Sequence, residues 1–181
     1  LVRNLLQFAR HETESRQPQA IAEIVDSTLT LIRTVMRHDR IELNVDIPDR
    51  LPRVQCNSQQ IQQVIMNLLT NARDALNEKY PGYDPDKLIN ISAQMQEEDS
   101  GDFVRVTVED HGTGIEDAVR ERMFDPFFTS KGRKRGTGLG LSIIHGIVQD
   151  HGGRIDVESE PGAWTRFHID LPVANDETRS E

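Results

Sequence analysis

The sequence predicts an α/β domain built as a two-layer sandwich, with a mixed, mostly antiparallel sheet packed on helices. Apolar residues recur at three- and four-residue steps in several stretches, the stripe of an amphipathic helix. Elsewhere they alternate residue by residue, the mark of a strand with one buried face. The two patterns come in runs of helix and hairpin without strict strand–helix–strand alternation, which indicates two layers.

Taken in order, residues 1–10 read as the end of an amphipathic helix without a start signal of its own, and Gln17-Pro18 breaks the chain. A helix stripe follows at Ile21, Ile24, Val25, Thr28, Leu31, Ile32, Val35 and Met36, then a strand at Ile41, Leu43, Val45 and Ile47. Asn57 and Ser58 suit the N-cap of a second helix, whose stripe is Ile61, Val64, Ile65, Leu68, Leu69, Ala72 and Leu76. Strands at Ile89, Ile91, Ala93, Met95 and at residues 103–110 are joined by the polar turn 97–102. A glycine-rich segment opens a third helix bearing Ile143, Ile144, Ile147 and Val148. Residues 154–159 and 165–171 form a closing hairpin across Glu160-Pro-Gly-Ala163. The polar tail, residues 173–181, is expected to be disordered, leaving residues 17–172 as the folded domain and 1–16 as a helix end and linker.

Composition narrows the function. The 181 residues suffice for one modest domain with a core, and the net charge of −9 argues against non-specific nucleic-acid binding. A single cysteine, Cys56, excludes an internal disulfide and fits a reducing compartment. No apolar run approaches the ~20 residues needed to span a bilayer, and no signal peptide is visible. The expected location is cytoplasmic, with membrane attachment only through segments upstream.

Three short motifs carry the chemistry. Asn67 and Asn71 stand one helical turn apart, so their amides share a face and could present two carboxamide oxygens to a hard cation such as Mg²⁺ held by phosphates. Two surface asparagines are the alternative. Asp110 ends the alternating strand and is followed by Gly112 and Gly114; its carboxylate could accept a hydrogen bond from an exocyclic amine such as that of adenine. An ordinary Asp-Gly turn would look the same. Gly136, Gly138 and Gly140 open a helix and free backbone amides to point at an anion, unless the segment is simply a flexible loop. The spacing matches neither a Walker A loop nor a dinucleotide fingerprint.

Together, Asn67-Leu-Leu-Thr-Asn71-Ala72, Asp110-His-Gly112-Thr-Gly114, Phe124-Asp-Pro-Phe-Phe128 and Gly136-Thr-Gly138-Leu-Gly140-Leu resemble the asparagine, first glycine, phenylalanine and second glycine boxes of sensor histidine kinases, in the family's order. The resemblance runs from about Ala20 to Pro172, and the phenylalanine box is similar in style to nitrogen- and oxygen-sensing kinases. It implies a Bergerat-type ATP-binding fold with a mobile lid at residues 125–135. Residues 1–16 then resemble the end of the dimerisation hairpin.

The resemblance also implies roles. Asn71 is the expected Mg²⁺ ligand, with Asn67 beside it as a catalytic-site residue. Asp110 would recognise the adenine amine, while Gly112 and Gly114 let the backbone approach the base; Ile115 and Thr165 are further ATP-binding positions. Thr137, Gly138, Leu139 and Gly140 would offer amides to the phosphates. Phe124, Phe127 and Phe128 are expected to pin the ends of the lid, with simple core packing as the alternative. Lys131, Arg133, Lys134 and Arg135 form a dense cationic cluster within it, from which Lys131 is the catalytic candidate at the γ-phosphate.

Departures from the pattern occur at Asp74 and Ala75, where many relatives carry a lysine and an aromatic. Asp74 is kept among the ATP-lining positions. The third glycine box has Trp164 before Thr165, so the lone tryptophan is expected near the far edge of the site. In related topoisomerase, mismatch-repair and chaperone ATPases, a glutamate at the position of Asn67 activates water. An amide cannot be a general base near neutral pH, whereas a neutral imidazole acceptor needs little help. Transfer to histidine is therefore expected. None of His11, His38, His111, His145, His151 and His168 sits in the acceptor pattern, so the acceptor is expected on an upstream dimerisation domain, homodimeric in the full protein, with a response regulator as the further partner. A nucleotide-binding regulatory module without kinase activity is the alternative.

Overall fold

The computed structural model describes residues 16–128 and 140–174. Its centre is a five-stranded sheet in the order β2-β4-β5-β7-β6, built from β2 (Glu42–Asp46), β4 (Leu88–Gln96), β5 (Phe103–Asp110), β6 (Arg154–Glu160) and β7 (Trp164–Pro172). The β2–β4 pair is parallel and the other three are antiparallel, so the sheet is mixed and mostly antiparallel, as expected. Helices α1 (Ile21–His38), α2 (Ser58–Lys79) and α4 (Gly140–Asp150) supply the second layer; α3 (Asp117–Arg120) is a single turn.

Alternation decides which face of the sheet is covered. Val104, Val106 and Val108 of β5 and Phe167, Ile169 and Leu171 of β7 are buried, together with Ile89, Ile91 and Ala93 of β4. Against them pack Ile61, Ile65, Leu68, Leu69 and Leu76 of α2, all 1 % exposed or less. Each such side chain contributes about 1.5–3 kcal/mol relative to exposure. The opposite face is polar. Arg105 pairs with the buried Asp170 at 2.7 Å, and Arg166 Nε donates to Glu109 at 2.6 Å. Nothing else covers this face among the described residues, which is what a two-layer sandwich requires.

Two contacts fix α2, the helix that bears both asparagines. At its start, the Asn57 side chain accepts from the amides of Gln59 and Gln60 at 3.0 and 3.1 Å. The Asn57 amide itself donates to Nε2 of the buried His151, whose Nδ1–H donates to the Ile147 carbonyl at 2.7 Å. That pair of bonds specifies a neutral ring protonated on Nδ1. Further along, Arg73 and Asn77 of α2 both donate to Asp39, the cap of α1. Burial raises the Asp39 pKa, but the hydrogen bonds from His38, Asn77 and Arg73 outweigh it and hold the carboxyl at about 2.

Some expectations need correction. Leu31 and Val35 of α1 are 65 % and 40 % exposed, while Leu29, absent from the expected stripe, is buried. The face that packs is the ridge Ile21, Ile24, Val25, Thr28, Leu29, Ile32 and Met36, and residues 31 and 35 lie on its flank. β2 is an edge strand whose alternation marks only a partly covered face: Ile41 is buried and Leu43 and Ile47 pack against the core, but Val45 is 45 % exposed. Gln17-Pro18 is no simple break: β1 (Gln17–Gln19) pairs antiparallel with β3 (Val54–Cys56) as a small second sheet. Pro18 is tolerated there because this two-stranded sheet consists of edges only. Past Pro172, Val173 bridges to Val54 and the Ala174 amide donates to the Arg53 carbonyl at 2.8 Å, so regular pairing reaches into the expected tail. Residues 1–15 and 175–181, with the helix end and the rest of the tail expected there, lie outside the described residues. No described helix is long and apolar enough to cross a membrane.

The His151 bridge predicts a pH dependence. Burial holds its imidazole below the usual 6.5, against the pull of the Ile147 bond. On acidification the unfolded chain therefore binds the proton first. The stability contributed by neutral His151 is complete above about 6.5 and is lost as pH falls through the lower native value. Urea midpoints at pH 7.5, 6.5 and 5.5 should fall across this series in the wild type and stay nearly level in His151→Gln. Acid loss through Asp39 begins only below about 3.8 and does not overlap this window.

Candidate functional site

The site begins on α2. Asn67, Asn71, Ala75 and Lys79 follow one another at four-residue steps and so form one ridge along the helix. Asn67 and Asn71 are half-buried, and among the described residues neither amide has a hydrogen-bond partner, so both are available to a ligand. Asp74, also half-buried, lies one position before Ala75 on the same helix.

The strand-end carboxylate comes next. Asp110 closes β5, is 5 % exposed, and accepts the Gly112 amide on Oδ1 at 2.8 Å. The two glycines after it are held by the chain's own atoms. A Cβ at Gly112 would lie 2.6 Å from the Ala75 Cβ and from Asp110 Oδ1. Gly114 has φ +67, and a Cβ there would run into the Glu160 carbonyl oxygen and stand 2.8 Å from the Pro161 Cα. Sequence reasoning expects these glycines to admit a base. The structure adds a second requirement, the close approach of the loop to α2 and to the β6–β7 turn.

The turn between β6 and β7 is the third wall. The Gly162 amide donates to the Thr113 carbonyl at 2.7 Å. Ser159 Oγ accepts the Ile115 amide at 2.9 Å, donates to the Trp164 carbonyl at 2.8 Å, and lies 3.0 Å from Thr165 Oγ1. With its proton on Trp164, Ser159 must accept from the Thr165 hydroxyl, which satisfies every polar valence of the serine. Thr165 is buried and sits opposite Asp110 in the β5–β7 register. Lys79 Nζ donates to the His111 carbonyl at 2.9 Å and the Ala163 carbonyl at 3.0 Å, joining loop and turn. The Trp164 ring lies under the Arg166 guanidinium, 4.9 Å from centroid to Cζ.

The structure thus brings Asn67, Asn71, Asp110, Gly112, Gly114, Ile115 and Thr165 onto three adjoining segments. Gly140 opens α4. Lys131, Thr137, Gly138 and Leu139, with the cationic cluster, lie outside the described residues. Phe124 packs on the core and its ring meets His145 at 5.5 Å, while Arg122 stacks on Phe128 at 4.9 Å. Phe127 is 77 % exposed with φ 65, so among the described residues it does not pack into the core. Sequence reasoning missed Lys79 and Ser159. The signal for Lys79 was present, because two more four-residue steps from Asn67 and Asn71 lead through Ala75 to it. Ser159 had none, since its role depends on three backbone groups that meet only in the fold.

Among the described residues no three His, Cys, Asp or Glu side chains gather to hold a metal. The donor set fits a hard cation such as Mg²⁺ that arrives on phosphates, keeps water ligands and takes one oxygen ligand from the protein, here an amide oxygen. Cys56 is buried and its thiol is pushed up to about 11, so it is inert.

Gly114→Ala would meet both a left-handed backbone and the Glu160 carbonyl. It should lower the unfolding free energy by about 2–4 kcal/mol, read as a shift in urea midpoint at unchanged m-value.

Comparison with known proteins agrees with this geometry. Residues 56–175 match the family described as histidine kinase-, DNA gyrase B-, and HSP90-like ATPase. Sensor kinase CckA of Brucella abortus is 37% identical over 190 residues, covering 100% of this chain and 20% of its own length. Alginate biosynthesis sensor protein KinB of Pseudomonas aeruginosa is 38% identical over 177 residues, covering 96% and 28%. The chain thus spans less than a third of either relative. The nucleotide-free catalytic domain of histidine kinase ThkA superposes with a TM-score of 0.70 at 28% identity, covering 88% of this chain and 97% of that domain. Full-length ShkA in complex with AMPPNP shares the fold, with a TM-score of 0.73 at 24% identity over 96% of this chain and 35% of its own. The chain belongs to the histidine kinase-, DNA gyrase B- and HSP90-like ATPase family, in the branch whose relatives are sensor histidine kinases.

Proposed function

We propose that this chain is the ATP-binding catalytic domain of a two-component sensor kinase, and that it delivers the γ-phosphoryl group of ATP to a histidine on a dimerisation domain upstream. The observation that carries the reading is the pair of amides, Asn67 and Asn71, unpartnered among the described residues and borne on the helix that packs against the loop of the buried Asp110. Asp110, with Gly112, Ile115 and Thr165 around it, would take the adenine. Asn71 would give its carboxamide oxygen to Mg²⁺, and Asn67 would stand beside the phosphates. Mg²⁺, when bound, neutralises charge on the phosphates.

Asn67 decides the acceptor. An amide does not draw a proton from water at neutral pH, so this domain lacks the base that hydrolysis would need at that position. A neutral imidazole attacks with its own lone pair. The new N–P bond forms as the bond to the β,γ-bridging oxygen breaks, and ADP leaves. The protein's share is then positioning and charge stabilisation, with Lys131 and its cationic neighbours as the source of positive charge near the γ-phosphate. The described histidines support an acceptor elsewhere. His151 is committed to structure, His111 to Glu109, His168 to Thr107 and Glu158, His145 to the Phe124 ring, and the exposed His38 to Asp39 beside it. We assign the domain to the cytoplasm, where ATP and a response regulator are available.

The test is a titration of ATP with and without Mg²⁺ into the 181-residue chain, beside Asn71→Ala and Gly138→Ala. Saturable binding, strengthened by Mg²⁺ and weakened at least tenfold in both variants, is expected. Added histidine hairpin should then become phosphorylated while free phosphate release stays near background. Absence of binding at millimolar ATP, or hydrolysis well above background, would contradict the reading.

A further inference from the structure

Lys79 is the last residue of α2 and is half-buried. Its ammonium donates to two backbone carbonyls from segments 52 residues apart in sequence, His111 and Ala163, and lies 5.1 Å from the centre of the Tyr80 ring. Among the described residues no carboxylate pairs with it. A single atom with several donors at a helix C-terminus can join two separate acceptors, and the helix dipole favours its charge there. The carbonyls it joins belong to the loop after Asp110 and to the β6–β7 turn. Those are the two segments that Gly114 and Gly162 bring into contact.

We infer that Lys79 is a positioning residue for the base end of the nucleotide site: a two-carbonyl latch that holds the Asp110 loop in its binding shape before nucleotide arrives. This rests on the ATP-site reading above. Lys79 touches none of the reacting atoms in that reading, because it lies two helical turns beyond Asn71, on the side of the adenine loop. Its effect is on the fraction of molecules whose loop is competent to bind, and apparent affinity falls by that fraction. Loss of two charge-assisted hydrogen bonds is enough to make the competent loop a minority state.

The experiment compares wild type with Lys79→Met, Lys79→Gln and Lys79→Arg in the 181-residue chain, using ATP and ADP as the probes. Lys79→Met is expected to raise the Kd of ATP and ADP by the same factor, about tenfold, because the latch acts on the part they share. Lys79→Arg, which keeps the charge and the donors, should recover most of the loss, and Lys79→Gln should lie between. In phosphotransfer to an added histidine hairpin, KM for ATP should rise while kcat at saturation stays within about twofold. A merely structural role would not separate these two constants. Amide exchange in the nucleotide-free chains gives the independent readout: Gly162 and Ile115 should exchange faster in Lys79→Met and Lys79→Gln. Unchanged Kd values, or a loss confined to ATP, would overturn the latch. If wild type itself fails to bind ATP, the function proposed above is wrong. The latch is then judged by exchange alone, and unchanged Gly162 and Ile115 rates would overturn it.

Discussion

The contact on which the rest depends is the seating of the Asp110–Ile115 loop between α2 and the β6–β7 turn. Gly112 lies against Ala75, and Gly114 against Glu160 and Pro161, at distances that leave no room for a Cβ. Polar bonds then lock the seat from both sides. Gly162 donates to Thr113, Ile115 to Ser159, and Lys79 to both the loop and the turn. Dispersion and hydrogen bonding act together here, because close packing brings the donors to their acceptors and those bonds keep the packing close. The buried Asp110 carboxylate is presented by this seat, and so are the amides of the ridge beside it.

A seat of this kind needs a fixed helix and a fixed hairpin. α2 is held at its start by the Asn57 cap and by His151 reaching back from the end of α4, and at its middle by Asp39. The hairpin is held because β7 lies inside the sheet, paired on one side with β5 and on the other with β6. The ion pairs on the open face, Arg105 with Asp170 and Arg166 with Glu109, brace the same strands from outside. Asp170 shows the balance of forces: burial raises its pKa, and the bonds and charge of Arg105 and Arg154 more than reverse that.

Much of this was legible in the sequence where one periodicity decides the outcome. The α2 stripe, the alternation of β5 and the hairpin turn were readable because burial on one face imposes a period of 3.6 or 2. Legibility failed where neighbours decide. Leu31 and Val35 fit a helical step as well as Leu29 does, and only the position of the sheet says which ridge is covered. The β1–β3 pair is too short to show any period. At the site, spacing singled out Asn67, Asn71, Asp110, Gly112 and Gly114 as candidates, and the family resemblance gave them their expected roles. The work of Ser159 and Lys79 comes from backbone groups that approach one another only in three dimensions.

The seating of the Asp110–Ile115 loop is set by the protein's own contacts and does not wait for a nucleotide. Amide hydrogen exchange of Gly112, Ile115 and Gly162 in the wild-type chain, before and after saturation with ATP, tests it most directly. Strong protection of all three without nucleotide, changing little on binding, is the predicted result. Fast exchange that slows only when ATP is added would contradict it, and would make the seat a product of binding.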